Sequence, residues 1–180
     1  MVALATGLAS ANFALERGFG FQKKASGPWA GWIHATAPVA DPYTKAHFSR
    51  NGVLPPPPLE SLLFQATTDD TGEPLSADCT YRVSGAFPPA RRWTLTLYSA
   101  GGLVANPANR YAFSNETVVY EPDGAATVML GADPLPGNWL PMARIGNHAL
   151  ALALYDTPLA TEAFLSDTTL PAIIRIGCRR

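Results

Sequence analysis

Charge is what this sequence has least of. Asp, Glu, Lys and Arg make up 15% of its residues, against about 25% in an average domain. The 13 basic and 14 acidic side chains nearly cancel, to a formal net charge of −1, and no long run of either sign exists to attract a polyanion. Nucleic acid is therefore not an expected partner. Histidine and cysteine are equally sparse, at three and two residues. His34, His47 and His148 lack the close pairing by which a local motif presents metal ligands, so neither a metal nor a cofactor is expected. Gly-x-Ser-x-Gly, His-Glu-x-x-His and a phosphate-binding glycine loop are all missing, and no catalytic residue is nominated. Asp69, Asp70 and Glu73 bring carboxylates together, but Asp-Asp-Thr-Gly-Glu-Pro has the composition of a turn.

Apolar residues are plentiful. At 47% hydrophobic over 180 residues, the chain can bury a sizeable core within one domain. With 17 Pro and 15 Gly there is little room for long helices, which favours short strands joined by ordered turns. One helix is signalled by Asp41 as N-cap and Pro42 at the first helical position, with Asn51-Gly52 to end it, so Tyr43 to Arg50 should form about two turns. Pro55 to Pro58, after Leu54, should run as a stiff polyproline spacer. Strands are expected at 62–68, 79–84, 93–98, 111–113, 118–120, 126–130, 149–155 and 173–176. In Arg92-Trp93-Thr94-Leu95-Thr96-Leu97-Tyr98 the alternation is strict, sending Trp93, Leu95 and Leu97 to one face. The expected fold is mainly β, an antiparallel sandwich or jelly roll, preceded by an apolar helix.

That helix is the other prominent feature. Met1 to Leu15 carries no charged side chain and would span roughly 22 Å at ~1.5 Å per residue. This falls short of the ~30 Å hydrocarbon core, so crossing needs help from the apolar residues that continue past Glu16 and Arg17. Lys23, Lys24, Trp29 and Trp32 follow, a mixture suited to a membrane–water interface. The expected organisation is an anchor helix at 1–22, an interfacial linker at 23–58 and a β domain at 59–180. A cleaved signal peptide and a buried core helix are the competing readings of the first segment.

The ordered motifs Asp-Pro-Tyr-Thr-Lys-Ala, Cys-Thr-Tyr-Arg-Val-Ser-Gly, Pro-Ala-Arg-Arg-Trp-Thr-Leu-Thr-Leu-Tyr, Asn-Pro-Ala-Asn-Arg-Tyr, Gly-Asn-Trp-Leu-Pro and Ile-Gly-Cys-Arg run from Asp41 to the end. In this order they resemble the bacterial family known as domain of unknown function 1214, and more narrowly its single-domain, membrane-anchored alphaproteobacterial branch. The resemblance implies a β-rich sandwich and an exported location, and no settled activity. Cys79 and Cys178 both match the family pattern, which favours a disulfide over two separate buried thiols. Such a bridge would close nearly a hundred residues of chain and contribute on the order of 4 to 5 kcal/mol. An exported disulfide stands against the positive-inside rule, because Arg17, Lys23 and Lys24 follow the helix and would hold the domain in the cytoplasm.

The polar candidates for a binding groove are Asn106, Asn109, Arg110 and Tyr111, with Asn138 and Trp139. Arg110 offers a fork for an anion, the amides offer donor–acceptor pairs and Trp139 a stacking face. Turn building is the competing role for the same residue types. Two functional expectations follow. The first is a single-pass inner-membrane protein with a periplasmic domain, an accessory module that docks on a membrane protein complex through its helix and contacts the lipid bilayer. The second is an envelope enzyme or binding protein for a carbohydrate or other polar small molecule.

Overall fold

The computed structural model describes residues 2–16, 23–51, 55–99, 102–103, 106, 108–144, 147–160 and 168–179. Among the described residues, two α-helices and ten strands follow one another in the order α1 (Val2–Glu16), β1 (Lys23–Ser26), β2 (Trp29–Trp32), α2 (Pro42–Asn51), β3 (Ser61–Ala66), β4 (Cys79–Gly85), β5 (Arg92–Ser99), β6 (Ala112–Ser114), β7 (Ala126–Gly131), β8 (Asn138–Pro141), β9 (His148–Tyr155) and β10 (Ala172–Cys178), with one 3-10 turn at Pro158–Ala160. The protein is mainly β with an N-terminal helix.

The strands form two sheets, one of six strands in the order β1-β2-β3-β9-β5-β6 and one of four in the order β10-β4-β7-β8. Strand β9 is central to the first, pairing antiparallel with β3 and β5. Its sequence alternates Leu with Ala, and Leu150, Leu152 and Leu154 are wholly buried. The expected alternation in β5 holds, with Trp93, Leu95 and Leu97 inward. Tyr81 and Val83 of β4, Val128 and Leu130 of β7 and Ile173 of β10 join these residues in one hydrophobic cluster fed by both sheets. Burying large apolar side chains contributes about 1.5 to 3 kcal/mol each, so this shared cluster dominates the stability of the domain.

The second sheet is mixed, which corrects the antiparallel expectation: β7 and β8 are parallel, with Val128 opposite Asn138 and Gly131 opposite Pro141. In the short return at 132–137 Leu135 folds over Gly131, where an added Cβ would lie 2.8 Å from Leu135 Cδ1. The strand expected at 118–120 is absent apart from a single bridge between Tyr120 and Ala126. There the Asn138 amide takes the place of a neighbouring strand, accepting from Val119 N–H and donating to Val119 C=O, both at 2.8 Å.

The stretch at 23–58, expected as an interfacial linker with a short helix, carries strands as well as that helix. Its first part supplies β1 and β2, and β2 pairs with β3 through Ala30–Gln65 and Gly31–Phe64. Gly31 is required there, since a Cβ would come within 2.8 Å of the Phe64 ring and 2.9 Å of the Leu63 carbonyl oxygen. Helix α2 forms as expected: Asp41 Oδ1 accepts from the N–H groups of Tyr43 and Thr44, each at 3.0 Å, which satisfies donors that a helix start leaves unpaired. Pro55 is buried rather than part of a surface spacer, and the Pro57 carbonyl accepts from Glu60 and Ser61 to turn the chain into β3. Leu54, Gly52 and the 17–22 part of the expected anchor lie outside the described residues.

Candidate functional site

The loop before β6 closes on itself. The Asn106 side chain donates to the Arg110 carbonyl at 2.9 Å and accepts from the Arg110 N–H at 3.1 Å, while Asn109 turns the corner in the left-handed region at φ 48°. An asparagine tolerates that conformation better than most residues. Arg110 reaches across to donate to the Trp139 carbonyl at 3.2 Å, and its guanidinium lies over the Phe113 ring. The Tyr111 hydroxyl points back toward Asn109 Oδ1 at 3.5 Å.

The expected groove is only partly assembled. Asn106, Arg110 and Tyr111 do share a cavity, with Tyr98 and His148, but its volume of about 10 Å³ accommodates roughly one water molecule. Asn138, the first residue of β8, is buried, and its amide bonds to the Val119 N–H and carbonyl and to the Thr127 carbonyl, each at 2.8 Å. Trp139 donates its indole N–H to the Gly131 carbonyl at 2.9 Å. Turn building and strand pairing thus occupy most of the polar atoms nominated for ligand contact. Arg110 bridges the two motifs, and the bond goes to the backbone of Trp139.

His148 is the residue that the sequence left unassigned. It is 2% exposed, lines the same small cavity, and neither ring nitrogen reaches a hydrogen-bond partner among the described residues. Burial pushes its imidazole below the ordinary histidine value, and the nearby backbone of Ala143 and Leu75 offsets only part of this. A buried histidine held neutral keeps one donor and one acceptor for a water or small polar group. No local spacing marks it, because its surroundings come from the 75, 98, 110 and 143 regions together.

The residues assigned to a membrane interface divide between core and surface. Trp29 is 1% exposed and donates its indole N–H to the Pro171 carbonyl at 2.7 Å, so its side chain serves the core. Trp32 packs against His47 and Phe48 of α2, with the Lys23 ammonium 5.1 Å from its ring centroid. Lys23 and Lys24 are exposed on the edge strand β1, where charge discourages pairing with another sheet.

Helix α1 buries none of its side chains. Val2, Leu4, Leu8 and Phe13 are all more than half exposed, and Thr6 and Ser10 turn their hydroxyls onto the helix's own carbonyls. Among the described residues it meets α2 through polar contacts that include Arg50 to Asn12 at 2.7 Å, Arg50 to Glu16 at 3.7 Å and His47 to the Leu15 carbonyl at 3.1 Å. Among the described residues, no helix is long and apolar enough to cross a membrane, and no group of His, Cys, Asp or Glu is gathered as a metal site.

At the far end of the chain, Cys79 and Cys178 form a disulfide across the β4–β10 pair. The pattern of a buried β4 cysteine opposite a terminal one belongs with the sequence motifs that frame this domain. A family model described as a protein of unknown function, DUF1214, matches residues 60–159. The chain belongs to this family. The match leaves α1, β1, β2, α2 and β10 outside it, including the Asp41 and Cys178 motifs.

Two solved structures resemble nearly the whole chain. The VPA0106 protein from Vibrio parahaemolyticus aligns with a TM-score of 0.67 at 17% identity, covering 98% of this chain and 44% of its own. An uncharacterized protein from Burkholderia cenocepacia aligns at 0.51 and 20% identity, covering 94% of this chain and 40% of its own. At this identity the likeness is one of fold, and the DUF1214 chain spans less than half the length of either. No curated protein matches it.

Proposed function

We propose that this chain is a membrane-anchored accessory module of the single-domain alphaproteobacterial branch, with a two-sheet sandwich on the periplasmic side of the inner membrane. Its N-terminal helix docks on a membrane protein complex. The observation that carries this reading is α1 itself, a helix with no buried side chain and a set of large apolar residues facing outward. Exposed large apolar side chains such as Val2, Leu4 and Leu8 are the kind of surface that marks an interaction site. The helix covers only ~22 Å, so bilayer residence calls for packing against a partner's helices or local thinning of the lipid. The disulfide supports an oxidising compartment, and the cluster shared by both sheets supports the sandwich.

The test is a native pull-down from detergent-solubilised membranes, comparing the natural chain with Leu4→Asp/Leu8→Asp. The expected result is a stoichiometric membrane partner that is lost in the variant while the melting of the domain is unchanged. A chain recovered alone, or a partner retained equally by the variant, would sink the proposal.

The second reading, an envelope enzyme or binding protein for a carbohydrate or other polar small molecule, draws on His148 beside Arg110 and Tyr111. It would require the 106–111 loop to open, since the present cavity has no room for a sugar ring.

A further inference from the structure

The disulfide presents its two halves unequally. Cys79 lies within β4 and is 8% exposed, whereas Cys178 ends the edge strand β10 and is exposed. Both line an open depression of about 440 Å³ whose wall includes Leu135, Ile176 and Arg179. A disulfide that meets solvent on one side belongs to the labile class, while an enclosed one resists exchange because no thiolate can reach it.

Strand β10 is itself divided. It pairs with β4 in register from Ala172 to Arg175, then shifts between Arg175 and Gly177, which leaves Ile176 without a paired residue on β4. Ahead of the shift the strand is anchored by wholly buried Ile173, by the Ile173 N–H donating to Asp70 Oδ2 at 3.0 Å and by Arg175 to Asp69 at 2.8 Å. Beyond it, Ile176, Gly177 and Cys178 are all exposed. The attachments described there, besides strand pairing, are the sulfur bond, the Arg179 N–H donating to the Asp78 carbonyl at 2.7 Å, and an ion pair of Arg179 with Asp133 on the surface. Surface ion pairs hold little, so the sulfur bond is the main fastening of the last residues.

We infer that this bond is an exchange site for a dithiol protein, one with a Cys-x-x-Cys pair, and that its reduction frees residues 176–179 while 172–175 stay in the sheet. One thiolate of the reductant attacks Cys178 Sγ from the depression; an intermolecular S–S bond forms, the Cys79–Cys178 bond breaks, and its electron pair leaves on Cys79 Sγ, which takes a proton from solvent. The reductant's second thiolate then attacks its own partner sulfur in the mixed disulfide, and the electron pair leaves on Cys178 Sγ, which is protonated in turn. The reductant is oxidised by two electrons to its disulfide, and its two protons end, by way of solvent, on the two cysteines. A dithiol is required because Cys79 stays directly opposite Cys178, at a high effective concentration, and expels a monothiol adduct by closing the bond again. The site stands independently of any docking by α1.

The test treats the oxidised full chain, at neutral pH without denaturant, with thioredoxin, dithiothreitol and glutathione at equal thiol concentration, and counts free thiols by mass spectrometry after alkylation. Thioredoxin and dithiothreitol should release both cysteines at rates that rise in proportion to the reductant, with glutathione at least tenfold slower. Thioredoxin carrying serine in place of its second active-site cysteine should be trapped on Cys178. In the reduced chain the Cys178 and Arg179 amides should exchange hydrogen at least tenfold faster, beyond any change shared by the β9 amides, while the Ile173 amide changes only as β9 does. A rate that stops rising with reductant at the unfolding rate of the chain, trapping on Cys79, or equal reduction by glutathione would overturn the exchange site. Equal loss of protection at Ile173 and Cys178 would overturn the local release.

Discussion

Strand β10 at one end of the chain and helix α1 at the other are both peripheral elements, yet they are held by different physics. Strand β10 is tied by the Cys79–Cys178 bond, by Arg175 to the fully buried Asp69 side chain at 2.8 Å, and by reciprocal bonds in which Asp70 N–H donates to Ile173 C=O and Ile173 N–H donates to Asp70 Oδ2, both at 3.0 Å. Helix α1 has no buried side chain and rests on α2 through exposed polar groups. An edge strand fastened covalently and electrostatically belongs to the cooperative fold. A helix fastened by solvent-facing contacts is available to be fastened by something else.

The largest way to break this contrast is to remove the disulfide. Cys79 and Cys178 are separated by 99 residues, and cross-linking about 100 residues stabilises a fold by roughly 4 to 5 kcal/mol in the chain-entropy model. Cys79→Ala/Cys178→Ala should therefore lower the melting temperature by about 10 to 20 °C for a chain of this size, measured by calorimetry beside the oxidised protein. A loss below about 1 kcal/mol would mean that β10 is held by its sheet contacts alone.

Next in size is Arg175. Its partner Asp69 also accepts from the Thr71 N–H and hydroxyl and the Glu73 N–H. Burial pushes the Asp69 carboxyl up, but these bonds and the Arg175 charge outweigh it, and the net position is below the ordinary value. Its stabilisation is therefore complete above the unfolded carboxylate value of 3.8 and is lost as pH falls through the lower folded value. Arg175→Met should cost about 2 to 3 kcal/mol, less than a fully buried pair because the arginine is 30% exposed. The same variant should unfold in acid at a higher pH than the natural chain, since Asp69 then loses one of the charges that keeps it ionised. Denaturant melts taken from neutral pH to below 3.8 would check both effects, and an unchanged acid limb would remove Asp69 from the account.

Much of this contrast was legible where the signal was local. Asp41-Pro42 announced α2, and the Thr–Leu alternation announced β5 with its inward face. The turn at Asp69 was readable from Asp-Asp-Thr-Gly, though its role as the buried anchor of Arg175 was not, because the two are more than a hundred residues apart. Distance also explains what local signals do not carry. Composition places Trp29 at an interface, whereas its indole N–H finds Pro171 across 142 residues and the ring enters the core. Asn138 looked like a ligand amide, and its partners Val119 and Thr127 come from other segments. The disulfide became readable through the family resemblance, since nothing in the spacing of two cysteines selects pairing. His148 carries no local mark at all.

The smallest expected effect is the one that most sharpens the comparison. Arg50 joins α2 to α1 through Asn12 and Glu16, with its side chain 50% exposed and that of Glu16 58% exposed. Such surface contacts contribute about 0 to 1 kcal/mol, so Arg50→Ala should leave the denaturant midpoint of the domain almost unchanged. It should instead release α1 locally, seen as faster hydrogen exchange of the 2–16 amides while the β9 amides keep their protection. If Arg50→Ala destabilised the whole domain as much as Arg175→Met does, α1 would be part of the cooperative unit. Its exposed Leu4 and Leu8 would then need another explanation than a docking surface.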